Sequence, residues 1–287
     1  MSVKNPEYDF KWCPGCGDFG VRRAIDGALK QRLIETERPI EENVVVAGIG
    51  CSGNMVHLLE GEQPYGIHGI HGRSLPIAMG VKMANPELNV LVVAGDGDFL
   101  SIGMEHIAPQ AARNLDVTAV IMDNGVYGLT KGQSSPTTKI DEITSSTPYG
   151  KQEESLDPLR LYLTLGVSYV GSALSSKVKD LTSMIGEAMS HRGFSIVHVQ
   201  SPCTTYNNTY EQLKGNAKKG IAPIAWNIPE DHDETDLSEA YRIVDTGGVP
   251  LGVLYKSDRP SLDQRIASKS EKMKPRDLNK LIGSYSI

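Results

Sequence analysis

The chain has 287 residues, of which 39% are hydrophobic and 22% charged, as in an ordinary globular protein. Its net charge of -6 argues against a nucleic-acid-binding surface, and no apolar run approaches the ~18 residues that a membrane span requires. The first seven residues contain no apolar signal segment, so we expect a protein of the reducing cytoplasm without structural disulfides.

Helix-like and strand-like segments alternate along the chain. Apolar residues recur every four positions from Val21 to Leu33, which predicts a helix over 18–33. Nearly continuous β-branched runs predict buried strands at 44–49, 90–94, 117–122 and 194–199, and helix-like stretches lie at 74–84, 104–114 and 175–191. The alternation predicts an α/β fold with a doubly wound, mostly parallel sheet. Ligands then bind at the carboxyl ends of the strands.

Two segments lack this alternation. Residues 132–157 are rich in Ser, Thr, Pro and charge, which predicts a long surface loop. The periodicity fades after Cys203, and 227–240 is acidic. We therefore interpret 1–203 as one α/β domain, and 204–287 as an irregular C-terminal extension that packs on this domain or on a partner subunit.

The chain has four cysteines, two of which form a Cys-x-x-Cys pair at Cys13 and Cys16. The other two, Cys51 and Cys203, each follow a strand-like run. A pair with two distant cysteines can assemble four thiolates around one metal centre, either an iron–sulfur cluster or zinc. Spacing does not choose between these, and inert buried thiols or a redox pair remain alternatives.

A second pattern lies between Cys51 and Cys203. Gly-Asp-Gly at 95–97 ends a strand, where glycines allow the backbone to approach a phosphate and Asp96 offers a carboxylate to Mg²⁺. Asn124 and the backbone carbonyl of Val126 follow the next strand at the same edge of the sheet. The two loops can therefore hold one metal ion and one diphosphate. Their spacing resembles the thiamine-diphosphate motif, with Asp123 in place of its first Asn.

Six motifs in order carry a resemblance to a known family. They are Trp-Cys-Pro-Gly-Cys-Gly (12–17), Gly-Ile-Gly-Cys-Ser-Gly (48–53), His-Gly-Arg (71–73), Gly-Asp-Gly-Asp (95–98), Asp-Asn-Gly-Val-Tyr-Gly-Leu-Thr-Lys-Gly-Gln (123–133) and Pro-Cys-Thr-Thr-Tyr-Asn (202–207). Together they resemble the β subunit of the 2-oxoacid:ferredoxin oxidoreductases, densely over 1–210 and loosely over 211–287.

The resemblance implies three sets of site residues. One 4Fe–4S cluster would be ligated by Cys13, Cys16, Cys51 and Cys203. Mg²⁺ would be held by Asp96, Asn124 and the Val126 carbonyl. Thiamine diphosphate would be contacted by Ile49, Gly50, Cys51, Ser52, His71, Gly97, Asp98, Gly128 and Leu129. Cys51 would thus belong to the cluster and to the cofactor loop at once, which suits electron transfer between them.

Two further residues are candidates for catalysis. The resemblance implies that His71 approaches the thiamine, although a histidine bonded to backbone is the simpler interpretation of the sequence alone. Lys131 would meet the substrate carboxylate or position its loop, and a solvated lysine is the alternative. Several relatives carry Lys or Arg where this chain has Asn54, so the resemblance does not choose between 2-oxoglutarate, pyruvate and a broader specificity.

The implied activity is the coenzyme A-dependent oxidative decarboxylation of a 2-oxoacid to acyl-CoA and CO₂, with electrons passing through the cluster to ferredoxin. A single diphosphate-type domain implies a partner α subunit, which would supply the pyrimidine-binding domain and an activating Glu in an αβ or (αβ)₂ assembly. No nucleic-acid or membrane partner is expected. Two alternatives remain, a non-oxidative thiamine-dependent decarboxylase or carboligase subunit and a non-catalytic metal-binding electron-transfer subunit.

Overall fold

The computed structural model describes residues 11–59, 64–270 and 278–285. Within these ranges the helices are α1 (Asp18–Thr36), α2 (Met55–Leu58), α3 (Ser74–Ala84), α4 (Ile107–Arg113), α5 (Pro158–Thr164), α6 (Val178–Ser190), α7 (Tyr210–Lys214), α8 (Leu237–Asp245), α9 (Leu262–Ser270) and α10 (Leu278–Gly283). The strands are β1 (Asn43–Ala47), β2 (Tyr65–His68), β3 (Asn89–Gly95), β4 (Val117–Asp123), β5 (Val126–Tyr127), β6 (Gln133–Ser134), β7 (Tyr169–Leu174), β8 (Phe194–Gln200), β9 (Ala225–Asn227) and β10 (Val249–Lys256).

Eight strands form one sheet in the order β2-β1-β3-β4-β8-β7-β10-β9. The first six strands in this order are mutually parallel, whereas β10 runs antiparallel to β7 and parallel to β9. The predicted α/β fold with a doubly wound, mostly parallel sheet is confirmed. Parallel strands end at a common edge, so the loops after β1, β3, β4 and β8 meet there.

Helices cover both faces of the sheet. In β1, Val44 and Val46 belong to the apolar cluster under α3, α4, α5 and α8. Val45 and Ala47 point the other way, into the cluster under α1, α2 and α6. Burial on both faces explains why the strands read as continuous apolar runs. No helix in the described ranges is long and apolar enough to cross a membrane.

The predicted elements match the observed ones to within a few residues, except near 100–114. There Asp98–Ile102 forms a π-helical turn and Met104–His106 a 3₁₀ turn before α4 begins. The helix α4 ends at Arg113, and its C-cap residue Asn114 has a left-handed φ of 52°. Such a π-helical turn often marks a functional site, and this one directly follows the Gly-Asp-Gly pattern.

The strand β10 of the 204–287 segment was not expected, because Pro250 and Gly252 interrupt its apolar pattern. It pairs with β7, and Leu254 is fully buried in the main core together with Ala240 of α8. The strands β2 and β7 were also missed, since β2 has four mostly exposed residues and β7 mixes Gly and Ser with apolar residues.

The segment 132–157 contains one short strand, β6, which pairs with β5, and no helix. The buried amine of Lys151 holds its fold by donating to the backbone oxygens of Ser135, Pro136 and Thr138 at 2.9–3.2 Å. A buried lysine requires such partners. The loop is therefore a compact structure beside the edge where the site lies.

Candidate active site

A cavity of about 110 Å³ opens at the carboxyl edge of the sheet. The loops after β1, β3 and β4 form its walls, together with His71 from the turn before α3. Its lining contains all of the residues predicted to contact thiamine diphosphate and Mg²⁺: Ile49, Gly50, Cys51, Ser52, His71, Asp96, Gly97, Asp98, Asn124, Val126, Gly128 and Leu129. Gly95, Tyr127 and Thr130 complete the lining and were not predicted.

Asp96 and Asn124 lie together at the base of this cavity. The backbone N–H of Asn124 donates to Asp96 Oδ1 at 3.4 Å, and Asn124 Oδ1 accepts from Val126 N–H at 3.0 Å. Burial, followed by the charge of Asp123, raises the pKa of Asp96 to about 7. Within the described ranges no Lys, Arg or His forms an ion pair with Asp96. A carboxylate, an amide and a carbonyl are oxygen donors of the kind Mg²⁺ prefers, so these residues fit that ion.

Asp123, which departs from the thiamine motif, is the centre of a buried hydrogen-bond chain. His198 Nε2 lies 3.0 Å from Asp123 Oδ2, and Tyr162 Oη lies 3.3 Å from His198 Nδ1. The hydroxyl of Thr137 lies 2.7 Å from Asp123 Oδ1 and 2.8 Å from Asp96 Oδ2. Burial alone would raise the pKa of Asp123, but the hydrogen bond and charge of His198 lower it. Through Thr137, this chain of hydrogen bonds also holds the carboxylate of Asp96 in position.

Asp98 joins three loops of the site. Its Oδ1 lies 2.5 Å from His71 Nδ1 and accepts the N–H groups of Ile49 at 2.9 Å and Gly72 at 2.8 Å. The contact orients the imidazole, which is partly exposed and lines the cavity. Asp98 Oδ2 is buried, and no partner for it occurs among the described residues.

Gly48 is required beside this carboxylate, because a Cβ at that position would lie 2.1 Å from Asp98 Oδ2. We expect Gly48→Ala to lower the free energy of unfolding by about 1–3 kcal/mol, the usual cost of overpacking. Urea unfolding measures this, with Gly186→Ala as the matched control, since no atom lies within 4 Å of a Cβ at that helical position. Equal destabilisation of both variants would contradict the close approach.

The four cysteines lie in three loops at the same edge. Gly17 N–H, just after Cys16, donates to the carbonyl of Pro202 at 3.0 Å, and Trp12 Nε1 donates to the carbonyl of Cys51 at 2.8 Å. The N-terminal loop is thereby fastened to both of the other cysteine loops. The structure thus brings together cysteines that are up to 190 positions apart.

Two of the cysteine sulfurs lie close to Gly128, which lines the cavity. A Cβ on this glycine would lie 3.5 Å from Cys51 Sγ and 3.9 Å from Cys203 Sγ. Cys51 itself also lines the cavity. The sulfur group and the cavity are therefore direct neighbours.

Burial, followed by the nearby charge of Asp18, raises the pKa of Cys16 and Cys51, to about 12 for Cys51. The charges of other cysteines raise both values further. In the described part of the chain, no three His, Cys, Asp or Glu side chains converge closely enough to hold a single metal ion. Four thiols from loops at one edge of the sheet form a donor set of the kind that an iron–sulfur cluster or a zinc ion takes.

Asp18, at the start of α1, links the cysteine loops and was missed in the sequence. It is buried, and its carboxylate accepts the hydroxyl of Ser52 at 3.0 Å and that of Ser201 at 2.6 Å. Burial raises its pKa to about 6. Each partner stands one or two residues from a cysteine. An acidic first turn is common in helices, so the sequence offered no distinguishing signal.

We expect Asp18→Ala to lower the free energy of unfolding by about 1–3 kcal/mol, because two buried hydroxyls lose their acceptor. Urea unfolding measures the change, and Glu35→Ala, an exposed acid on the same helix, is the control. Equal unfolding free energies in the two variants would remove this role from Asp18.

Two predicted residues lie outside the cavity. Lys131 is exposed and follows Thr130 on the rim, with a left-handed φ of 85°. Asn54 is buried, and its Nδ2 donates to the carbonyl of Gly50 at 2.8 Å. Asn54 therefore supports the Gly50 turn instead of facing the cavity.

Two family models match adjacent parts of the chain. The C-terminal thiamine pyrophosphate-binding domain of thiamine pyrophosphate enzymes matches residues 48–199. The C-terminal part of the pyruvate ferredoxin oxidoreductase β subunit matches residues 203–271. The first match contains the whole lining of the cavity.

Similar proteins agree with these models. The 2-oxoacid:ferredoxin oxidoreductase subunit beta of Saccharolobus solfataricus is 36% identical over 267 residues, covering 90% of this chain and 86% of the relative. The 2-oxoglutarate synthase subunit KorB of Archaeoglobus fulgidus is 41% identical over 195 residues, covering 68% and 70%. A solved 2-oxoglutarate:ferredoxin oxidoreductase from Magnetococcus marinus, with 2-oxoglutarate, coenzyme A and succinyl-CoA bound, matches with a TM-score of 0.84 at 37% identity, covering 98% of this chain and 94% of that one.

Proposed function

Because the chain belongs to the family of 2-oxoacid:ferredoxin oxidoreductase β subunits, we propose that it carries the thiamine diphosphate site and the 4Fe–4S cluster of such an enzyme. The reaction is the coenzyme A-dependent oxidative decarboxylation of a 2-oxoacid to acyl-CoA and CO₂. The observation that carries this proposal is the position of Gly128, which lines the cavity and at which a Cβ would lie within 4 Å of two cysteine sulfurs.

Asp96, Asn124 and the carbonyl of Val126 would hold Mg²⁺, and the loop at 97–98 with Gly128 and Leu129 would hold the diphosphate. The raised pKa of the buried Asp96 supports this, because a cation beside the carboxylate would offset its burial. When bound, thiamine diphosphate supplies a carbon nucleophile for the ketone of the 2-oxoacid. Asp98 holds His71 Nδ1 at the cavity wall, which leaves Nε2 as the ring nitrogen that would donate or accept a hydrogen bond toward the cofactor.

The cysteines would ligate the cluster, and the shared Cys51 loop favours an oxidative reaction. A non-oxidative decarboxylase or carboligase does not need thiols at the cofactor. A non-catalytic electron-transfer subunit would leave the Asp96–Asn124 pair and the cavity without a use. Electrons leaving the cofactor would have only the width of a loop to cross before reaching the cluster.

A partner α subunit would close the cavity. Large apolar side chains are exposed beside its mouth: Ile70, next to His71, is 74% exposed, Ile102 is 47% exposed and Leu129 is 45% exposed. Arg73 Nη1 donates to the carbonyl of Ile102 at 2.9 Å, which places Ile102 close to the turn at His71. Exposed apolar residues around a site are typical of a surface covered by another protein.

The deciding experiment is anaerobic reconstitution of this chain with its α subunit. We expect reduction of ferredoxin that requires both coenzyme A and a 2-oxoacid, with 2-oxoglutarate and pyruvate compared side by side. CO₂ release without any reduction of an electron acceptor would instead identify a non-oxidative enzyme. The absence of both CO₂ release and acceptor reduction with every 2-oxoacid tested would refute the catalytic role.

Lys131, which follows Thr130 on the rim of the cavity, would hold the substrate carboxylate with its amine. We expect Lys131→Met, which keeps the aliphatic stem, to lower kcat/KM for the 2-oxoacid about tenfold or more, equivalent to about 1.4 kcal/mol. Lys131→Arg should retain most of the activity, and Lys139→Met, at an exposed lysine of the adjacent 132–157 loop, is the control. An unchanged kcat/KM in Lys131→Met would identify Lys131 as a solvated residue.

A further inference from the structure

The Cys-x-x-Cys loop is exposed at its tip. Cys13, Pro14 and Gly15 are all solvent-exposed, whereas Cys51 lines the cofactor cavity. Electrons that enter the cysteine group from the cavity can therefore leave it through this loop. Whatever accepts them must approach the surface around Cys13.

The C-terminal segment borders this loop. Thr204 Oγ1 donates to the carbonyl of Pro14 at 2.9 Å, and Tyr210 Oη donates to the carbonyl of Gly15 at 3.2 Å. The helix α7 thus begins in direct contact with the cysteine loop. Any protein that covers the tip of the loop also meets the residues of α7 and of the turn that follows.

Three exposed lysines follow Tyr210 and form what we call the lysine strip: Lys214, Lys218 and Lys219. The amine of Lys214 lies 5.1 Å from the centre of the Tyr210 ring. Lys219 Nζ lies 2.9 Å from Glu211 Oε1, and Glu211 is the one acidic residue between 210 and 219. The strip therefore carries a surplus of positive charge on a chain whose net charge is -6.

We infer that the lysine strip and the Cys13–Gly15 tip form the docking site for an acidic ferredoxin. The inference rests on the proposed function and extends it to the exit of the electrons. In each encounter one electron leaves the reduced cluster of this chain and reduces an oxidised iron–sulfur cluster of the carrier, with no bond or proton exchanged. Opposite charges around the two clusters speed such encounters and orient them.

The test measures equilibrium binding of an acidic, bacterial-type ferredoxin to the assembled αβ complex by calorimetry, without turnover. We expect Lys218→Glu, and more so Lys214→Glu with Lys218→Glu, to raise the Kd about tenfold or more at low salt. Lys269→Glu is the matched control, because α9 begins beside Asn114 at the opposite edge of the sheet. Added salt should weaken wild-type binding more than binding to the double variant.

A Kd that is the same in the wild type, both strip variants and the control would overturn the docking site. The proposed function is tested separately by methyl viologen reduction in the wild-type complex, which needs no protein docking. Failure of the proposed function is thus distinguishable from failure of the docking site. A circular-dichroism spectrum and an iron content equal to those of the wild type establish that the variants are folded. If the double variant does not fold, the Kd of Lys218→Glu alone decides the test.

Discussion

Replacing Cys203 with alanine is expected to reduce bound iron from about four atoms per chain to a small fraction of that value, since a 4Fe–4S cluster needs a thiolate on each iron. The sulfurs of Cys203 and Cys51 would both lie within 4 Å of a Cβ on Gly128, so loss of Cys203 would open the proposed cluster next to the cofactor cavity. Ferredoxin reduction should fall below detection. Iron and acid-labile sulfide analysis of anaerobically purified αβ complex measures the change.

The same variant should still bind thiamine diphosphate, because the residues proposed to hold Mg²⁺ lie on the loops after β3 and β4. Thr205→Ala, an exposed neighbour two positions on, is the control and should keep its iron. About four irons retained in Cys203→Ala would remove Cys203 from the ligand set.

Replacing Asp96 with asparagine is expected to weaken Mg²⁺-dependent binding of thiamine diphosphate by about 100-fold or more. Loss of a residue that only supports a metal ligand often costs ~10–100-fold in metal affinity, and Asp96 would be a ligand itself. The asparagine keeps the shape and an acceptor for Thr137 but loses the charge that faces the cation. Calorimetry with the αβ complex at fixed Mg²⁺ measures the affinity.

The visible absorption of the proposed cluster provides an internal control for Asp96→Asn, because this absorption should persist unchanged. A second control is Asp116→Asn, a carboxylate at the opposite edge of the sheet that pairs with Lys82 and Arg192. Wild-type affinity for thiamine diphosphate in Asp96→Asn would refute the pairing of Asp96 with Asn124. The two variants, Cys203→Ala and Asp96→Asn, should thus separate loss of the cluster from loss of the cofactor.

The central strands could be predicted because burial on both faces leaves a local mark, a run of β-branched residues such as 117–122. The edge strands left no such mark. The strand β10 contains Pro250 and Gly252, and it is held by pairing with β7 about 80 positions earlier. Pairing between distant segments is a property of the whole chain, which no local window contains.

The residues of the candidate site also fall into two groups, those that short motifs predicted and those that no local pattern marked. Residues that belong to short motifs, such as Asp96 and Asn124, were found from spacing and lie together in the cavity. Asp18 and His198 were missed, because each works through partners from remote segments. A buried carboxylate at a helix start and a histidine within a strand carry no pattern that distinguishes them from ordinary residues. Lys131 was found from a motif, but its exposed position on the rim follows from the turn at 128–132.

Gly128 has a consequence for anyone who would redesign this protein. It lines the cavity, and a Cβ at this position would lie within 4 Å of the sulfurs of Cys51 and Cys203. A larger residue there would change the cavity and the surroundings of the two sulfurs at once. A laboratory that enlarges the pocket for bulkier substrates must therefore work on the His71 and Leu129 walls, since the wall at Gly128 cannot be moved without disturbing the sulfurs behind it.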